Sequence, residues 1–152
     1  MRKYASMLFV ILIASTWTSF LQLGIQQSHA QYSETPVRSI NVIIANHTPM
    51  NMFLVDQSKV DLPPFIRSGE TASSLAASHQ NFYGVEGYAT YYFSPNLDSD
   101  TDTSKQMTFH FDNPYVGSNS CSVDQSSNVP FTATINGDCS GNDATMSVTI
   151  SG

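Results

Sequence analysis

The chain has little positive charge and little tryptophan. It carries six Lys and Arg residues against twelve Asp and Glu. Only four basic residues lie after residue 30, which gives residues 31–152 a formal charge of −8: Arg38, Lys59, Arg67 and Lys105. This balance argues against a nucleic-acid partner and against attraction to anionic lipid by charge, because both need clusters of basic residues. The single tryptophan is Trp17, so residues 31–152 contain none.

Long apolar runs are absent except near the N-terminus. There, a basic start precedes the apolar residues 7–14, and the small-x-small pattern Ser28-His29-Ala30 suits cleavage before Gln31. These features predict a secretory signal peptide over residues 1–30. The alternative is an uncleaved membrane anchor, but Ser15 and Thr16 interrupt the apolar run well short of the roughly 20 residues that a span needs. We therefore expect a secreted, extracellular protein.

The expected mature chain has the size of one domain. We predict a flexible leader over residues 31–38, which are polar and include Pro36, followed by a single domain over residues 39–152. The domain has only two cysteines, Cys121 and Cys139. In a secreted chain they favour a disulfide, which would contribute about 3 kcal/mol. The alternative is a pair of free buried thiols. Zinc sites need Cys-x-x-Cys pairs with histidine, so we predict no metal and no cofactor.

Alternating apolar and polar residues with turn residues between them predict an all-β fold. Residues 46–49, Asn-His-Thr-Pro, read as a turn that joins the first two strands in a hairpin. Residues 71–78 also permit a short helix, although their Ser and Thr content favours a strand. Short strands at this spacing are typical of an antiparallel β-sandwich. The predicted strands are residues 39–45, 50–56, 71–78, 88–93, 106–112, 121–124, 131–135 and 144–150.

No catalytic or metal-binding motif stands out. His47, His79 and His110 are scattered, and no nucleophile elbow accompanies them, so a hydrolase is only a weak third hypothesis. The segment Asp98-x-Asp100-x-Asp102 resembles the start of a calcium loop, but it lacks the glycine and glutamate that the loop requires next. We interpret it as a solvated acidic loop, with weak calcium binding as the alternative.

One modification motif is present. Asn46-His47-Thr48 is an N-glycosylation sequon in a predicted turn, where such sites occur. Asn46 is therefore a candidate for glycosylation if the source is eukaryotic.

Two segments together resemble the aegerolysin family, and in particular its small insecticidal crystal proteins. The first is Gly84-Val85-Glu86-Gly87 with the Tyr-rich strand after it, and the second runs from Phe109 to Asn119 as Phe-His-Phe-Asp-Asn-Pro-Tyr-Val-Gly-Ser-Asn. The likeness extends to residues 40–48 and 141–150, and so covers nearly the whole domain. In mushroom members, tryptophans stand at the positions of Phe111 and Tyr115.

The resemblance implies a non-catalytic β-sandwich that binds membrane lipid of the sphingolipid or sterol class. It also implies that a larger partner protein often completes a pore, which would make the chain one component of a two-component pore-forming cytolysin. The candidate contact residues are three aromatics in or next to turns, Phe82, Tyr83 and Tyr115. The alternative is a secreted structural or interaction protein without lipid binding, which the missing tryptophans favour.

Overall fold

A computed structural model describes residues 38–80, 82–96 and 104–152. The predicted signal peptide, nearly all of the leader and the calcium-like segment 98–102 lie outside the described residues. The described part of the chain has no helix, and hence none that could span a membrane. Its strands are β1 (Arg38–Asn46), β2 (Asn51–Ser58), β3 (Phe65–Ile66), β4 (Thr71–Ser78), β5 (Val85–Ser94), β6 (Gln106–Asn113), β7 (Ser120–Gln125), β8 (Thr132–Ile135) and β9 (Asp143–Ser151).

The strands form two sheets. One has four strands in the order β4-β1-β9-β8, and the other has five in the order β3-β2-β5-β6-β7. All pairs in the five-stranded sheet are antiparallel, as predicted. The four-stranded sheet is mixed, because β1 and β9 run parallel, with Ser39 opposite Asp143 and Asn46 opposite Ile150. The prediction of a purely antiparallel fold is wrong at this pair.

The two sheets share one hydrophobic core, which makes the all-β structure consistent with a β-sandwich. Alternate residues of each strand are buried, as period-2 patterning requires. The four-stranded sheet contributes mainly aliphatic side chains such as Ile44 and Val148, whereas the five-stranded sheet contributes large aromatics. The largest aromatic side chains in the core are Tyr91, Phe93, Phe109 and Phe111.

The predicted N-terminal hairpin does not form. Strands β1 and β2 belong to different sheets, so the turn between them carries the chain from one sheet to the other. The side chain of Asn46 fixes this crossing. Its Nδ2 donates to the carbonyls of Met50 at 2.8 Å, Arg67 at 3.1 Å and Ile66 at 3.3 Å. Its Oδ1 accepts from the backbone N–H and the hydroxyl of Thr48.

The same contacts bear on Asn46 as a candidate for glycosylation, which stays a prediction. The residue has no exposed surface, and the nitrogen that would carry the sugar donates to three carbonyls. A glycan would have to displace these bonds and enter the core. In the folded protein, the sequon is a structural motif.

Two other sequence predictions are confirmed. Residues 71–78 form a strand, β4, rather than a helix. Cys121 of β7 forms a disulfide with Cys139, their Cα atoms 6.1 Å apart, which excludes the alternative of two free thiols. Because Cys139 lies between β8 and β9, the disulfide ties an edge strand of the five-stranded sheet to a loop of the four-stranded sheet.

Candidate functional site

Aromatic side chains gather where β5 begins and β6 ends. The two strands are antiparallel neighbours, with Val85 opposite Asn113, so the residues before β5 and those after β6 lie at the same end of the sheet. Phe82 and Tyr83 come from the first segment, and Tyr115 and Val116 from the second. We call these four residues the aromatic corner.

The aromatic corner is exposed. The exposed fraction is 74% for Phe82, 62% for Tyr83 and 82% for Val116, while Tyr115 is half-buried. The rings of Phe82 and Tyr115 make an edge-to-face contact, with their centroids 5.0 Å apart. Such pairs are favourable beyond the area that they bury. The structure therefore brings all three sequence-predicted aromatics together, and adds Val116, which the sequence analysis did not select.

Two glycines explain why the two segments of the family-like motif occur together. A Cβ atom on Gly84 would lie 2.5 Å from the Cα of Pro114, and one on Gly87 would lie 2.5 Å from the ring of Phe111. Real contacts are longer, so only glycine fits at either position. Phe111 itself is a core residue and takes no part in the exposed surface. The segment at Gly84 and the segment at Pro114 are thus one packed unit.

A buried amide ties this unit to the other sheet. Asn113 is fully buried, and its Nδ2 donates to the carbonyl of Ser39 at 2.7 Å and to that of Asn142 at 2.9 Å. Ser39 belongs to β1, and Asn142 lies in the turn before β9. Just beyond the corner, Asn119 donates to the carbonyl of Gly141 at 2.8 Å. The turn that carries Tyr115 is therefore attached to both sheets.

Arg38 contacts Tyr115 in two ways. Its guanidinium Nη2 donates to the carbonyl of Tyr115 at 3.0 Å, and its Cζ lies 5.7 Å from the centroid of the ring, within the range of a cation–π contact. A second nitrogen, Nη1, donates to Oδ1 of Asn142. The polar composition of residues 31–38 predicted that Arg38 lies in a flexible leader, and no motif marked it. The structure places it in β1 and beside the candidate site.

Phe82 has a backbone conformation that phenylalanine rarely adopts. Its φ angle is +69°, in the left-handed region. For an L-residue other than glycine, this region costs roughly 1–2 kcal/mol. Phe82 bears this conformational cost although its side chain buries little of its surface. Strained residues of this kind cluster at functional sites, where the position of the side chain matters more than the local stability.

Acidic residues flank the aromatic corner. A cavity of about 400 Å³ lies between the corner and the side chains of Glu86 and Asp112. These two carboxylates stand directly opposite each other across β5 and β6, an arrangement of like charges that is unfavourable in a sheet. Among the described residues that line this cavity there is no Lys or Arg, and Arg38 contacts Tyr115 outside it. A ligand that binds here therefore meets apolar rings and negative charge.

A second cavity, of about 380 Å³, adjoins the corner at Tyr83 and Gly84. Lys59 and His79 line it, so its polar groups differ in kind from those of the first cavity. Lys59 also has a positive φ of 67°. Tyr83 and Gly84 thus separate an acidic surface from one that carries a lysine.

The outer face of the five-stranded sheet carries the remaining polar side chains of interest. Nε2 of His110 lies 3.3 Å from Oδ2 of Asp124, and Ser122 stands opposite His110 in register. The described residues include no hydrogen bond between Ser122 and His110, so the geometry gives no support for a nucleophile activated by this histidine. Nearby, the hydroxyl of Tyr88 donates to Asp56 at 2.6 Å, and this bond and the carboxylate charge raise the pKa of Tyr88.

Two further comparisons concern metal-binding groups among the described residues and similarity to known proteins. Across residues 38–80, 82–96 and 104–152, no three His, Cys, Asp or Glu side chains group together as a metal ion would need. No model of a known protein family matches the chain, and a search of the curated proteins finds no match. The aegerolysin resemblance therefore stays a prediction that depends on the residues themselves.

Proposed function

We propose that this chain is a secreted, non-catalytic protein of the aegerolysin type, a β-sandwich that binds membrane lipid through its aromatic corner. The observation that carries the proposal is the exposure of Phe82, Tyr83 and Val116 around the ring of Tyr115. In the free protein, Phe82 contacts Tyr115 but leaves most of its ring in water, although its backbone conformation is strained. Against a lipid surface, the same ring gains about 1.5–3 kcal/mol on burial.

The rigid base of the corner supports the same function. Gly84, Pro114 and the buried amide of Asn113 fix both segments before any ligand arrives. A preorganised surface loses less conformational entropy on binding than a flexible loop does. Tyrosine and phenylalanine at such a surface suit the interface between headgroups and acyl chains, where one side of the ring is apolar and the other meets water.

The charges restrict the kind of membrane. With Glu86 and Asp112 beside the aromatic corner, anionic lipid is repelled, and a neutral or zwitterionic surface is favoured. The sphingolipid or sterol mixtures that the family resemblance implies meet this condition. A larger partner protein that completes a pore belongs to the proposal on the same resemblance, and the disulfide suits an extracellular location.

Vesicle co-sedimentation tests the proposal. The protein recovered from expression of the full chain is mixed with neutral phosphatidylcholine vesicles, alone and with sphingolipid, sterol or both. We expect sedimentation with at least one of the sphingolipid or sterol mixtures, and little change when salt is raised, because no basic patch contributes. If no mixture retains the protein, lipid binding is refuted and the alternative of a secreted interaction protein is favoured.

Two variants locate the contact. Phe82→Asn removes the ring and keeps a residue that tolerates a positive φ, so the fold is retained. We expect it to weaken vesicle binding at least about tenfold, given the burial energy of one phenyl ring. Val55→Ser, which removes an exposed apolar side chain from β2, is the matched control and should bind as the wild type does. Equal losses in the two variants would show that the aromatic corner is not the contact.

A further inference from the structure

The two sheets have four edge strands, and three of them are protected against pairing with another chain. β3 has only two residues and comes directly after Pro63 and Pro64. β8 has only four residues. β7 carries the disulfide at Cys121 and the charge of Asp124. Short length, proline, charge and covalent constraint are the usual ways in which a protein protects a sheet edge.

β4 has none of these protections. Its eight residues, Thr-Ala-Ser-Ser-Leu-Ala-Ala-Ser, include no charge, no proline and no glycine, and they pair with β1 along their whole length without a bulge. Among the described residues, the backbone hydrogen bonds of β4 go to β1 alone. Beyond this pairing, the backbone N–H of Asp61 donates to the hydroxyl of Ser74, and Lys59 lines a cavity with Ala77 and Ser78 at the end of the strand. The outer edge of β4 is therefore a template for a further strand.

An apolar side chain stands at the centre of this edge strand. Leu75 is 62% exposed and points outward, away from the core, as do Thr71, Ser73 and Ala77. Soluble proteins tolerate single exposed leucines. In the middle of an open edge, however, an exposed leucine adds apolar area to any strand that pairs there.

The distribution of charge favours a second copy of this chain as the occupant. Two copies each carry an excess of six negative charges and repel one another over most approaches. The outward face of the four-stranded sheet is the exception. Its one charged residue is Asp143, at one end of β9. The other outward residues of its four strands are uncharged: Thr71, Ser73, Leu75 and Ala77 on β4; Ser39, Asn41, Ile43 and Ala45 on β1; Thr145, Ser147, Thr149 and Ser151 on β9; and Thr132 and Thr134 on β8.

We propose that two copies pair antiparallel along β4 around a two-fold axis that passes through Leu75. A two-fold axis perpendicular to the sheet keeps the outward faces on one side, so outward residues must oppose outward residues. Centring on Leu75 satisfies this condition and sets the two leucines against each other, with Ser73 of each copy opposite Ala77 of the other. The two four-stranded sheets then form one continuous sheet.

The size of the contact sets its strength. One edge strand and one leucine from each copy fall below the roughly 1,200 Å² of buried surface that stable complexes reach. The dimer is therefore weak in solution. Copies bound to one surface are concentrated by it, which favours pairing there.

Sedimentation velocity in lipid-free buffer tests the proposal independently of membrane binding. Over roughly 10 µM to 1 mM protein, we expect the weight-average mass to rise from one chain toward two. Leu75→Lys places like charges at the two-fold axis and should raise the dissociation constant at least about tenfold. Thr134→Lys puts the same charge on the same face but on β8, and should dimerise as the wild type does. Both changed residues are exposed, so both variants fold.

Three outcomes would overturn the proposal. The wild type stays monomeric over the whole range, Thr134→Lys weakens pairing as much as Leu75→Lys does, or Phe82→Asn abolishes it, which would place the contact at the aromatic corner. Hydrogen exchange gives a second measurement. Protection of the β4 amides should rise with protein concentration in the wild type and not in Leu75→Lys.

Discussion

Asn46 and Asn113 hold opposite ends of the molecule together with buried amide groups. Both residues end a strand, both are fully buried, and both donate to backbone carbonyls of segments distant in sequence. They lie at opposite ends because Asn46 ends β1, whereas Asn113 donates to Ser39 near its start. Yet in the part of the chain that the structure describes, only the Asn113 end presents exposed aromatic rings.

The difference between the two ends lies in the residues directly after each asparagine. After Asn46, Thr48 turns back and bonds to the asparagine itself, so the turn is closed by its own side chains. After Asn113, Pro114 packs on Gly84, and the next residues point outward. A buried asparagine amide thus supports a closed turn at the Asn46 end and an exposed aromatic surface at the Asn113 end.

The largest expected effect is on stability at the Asn46 end. Asn46→Ala removes the bonds that its amide makes to three carbonyls and to Thr48, and we expect it to lower the free energy of unfolding by about 3 kcal/mol or more. Asn113→Ala removes two donated bonds and should cost about 2 kcal/mol. Urea denaturation measures both changes. Asn136→Ala, at an exposed site, should stay within about 0.5 kcal/mol of the wild type. Equal values for Asn46→Ala and Asn136→Ala would contradict the structural role of the first.

A smaller effect is expected from Gly84 at the other end. Gly84→Ala forces a methyl group into the backbone of Pro114, and we expect a loss of about 2 kcal/mol in the free energy of unfolding together with weaker vesicle binding. Gly141→Ala separates the steric cost from the dihedral cost. Gly141 has a positive φ of 76° but open space around it, so we expect about 1 kcal/mol and unchanged binding. The comparison fails if Gly141→Ala weakens binding as much.

The smallest effect is expected on the free energy of unfolding in alkaline solution, and it comes from Tyr91. Burial raises the pKa of Tyr91 well above its usual value near 10. Because the folded state keeps the proton more tightly, the contribution of Tyr91 to stability is present below pH 10 and is lost as the pH rises toward the folded pKa. We expect the free energy of unfolding to fall above about pH 10 by up to 1.4 kcal/mol per pH unit for this residue.

Tyr91→Phe isolates that contribution. The substitution removes the hydroxyl that donates to the carbonyl of Pro63 at 2.7 Å, and should cost about 1 kcal/mol at neutral pH. Its stability should then fall less steeply than that of the wild type between about pH 9 and pH 11. Parallel pH dependence of the two proteins, measured by urea denaturation, would show that Tyr91 does not titrate differently in the folded state.

Alternation was enough to predict most strands. Ile40, Val42 and Ile44 on one face of β1, and the alternation of residues 144–150 in β9, mark buried faces directly. Alternation does not record direction or partner, however. That β1 pairs parallel with β9, or that β1 and β2 lie in different sheets, depends on contacts between residues distant in sequence. For the same reason, the sequon at Asn46 reads identically in a surface turn and in a core crossing.

The candidate site was predictable in part. The turns before β5 and after β6 predicted Phe82, Tyr83 and Tyr115 as contact candidates, and the structure places these three side chains close together. The contribution of Arg38 and the positive φ of Phe82 left no pattern in the sequence, because both depend on the packing around residues 113–115. The lipid and the partner depend on molecules outside the chain.

The parallel pairing of β1 and β9 also decides when the protein can fold. Ser39 and Asp143 are register partners although 104 residues separate them, so the central pair of the four-stranded sheet closes only after the chain has been synthesised through β9. Such long-range closure makes folding slow, on the order of milliseconds to seconds. A nascent chain that lacks β9 leaves one backbone edge of β1 without its hydrogen-bonding partner. For a secreted chain, as we propose this one to be, the delay leaves a long interval in which the polypeptide can be threaded through a translocation channel before its four-stranded sheet closes.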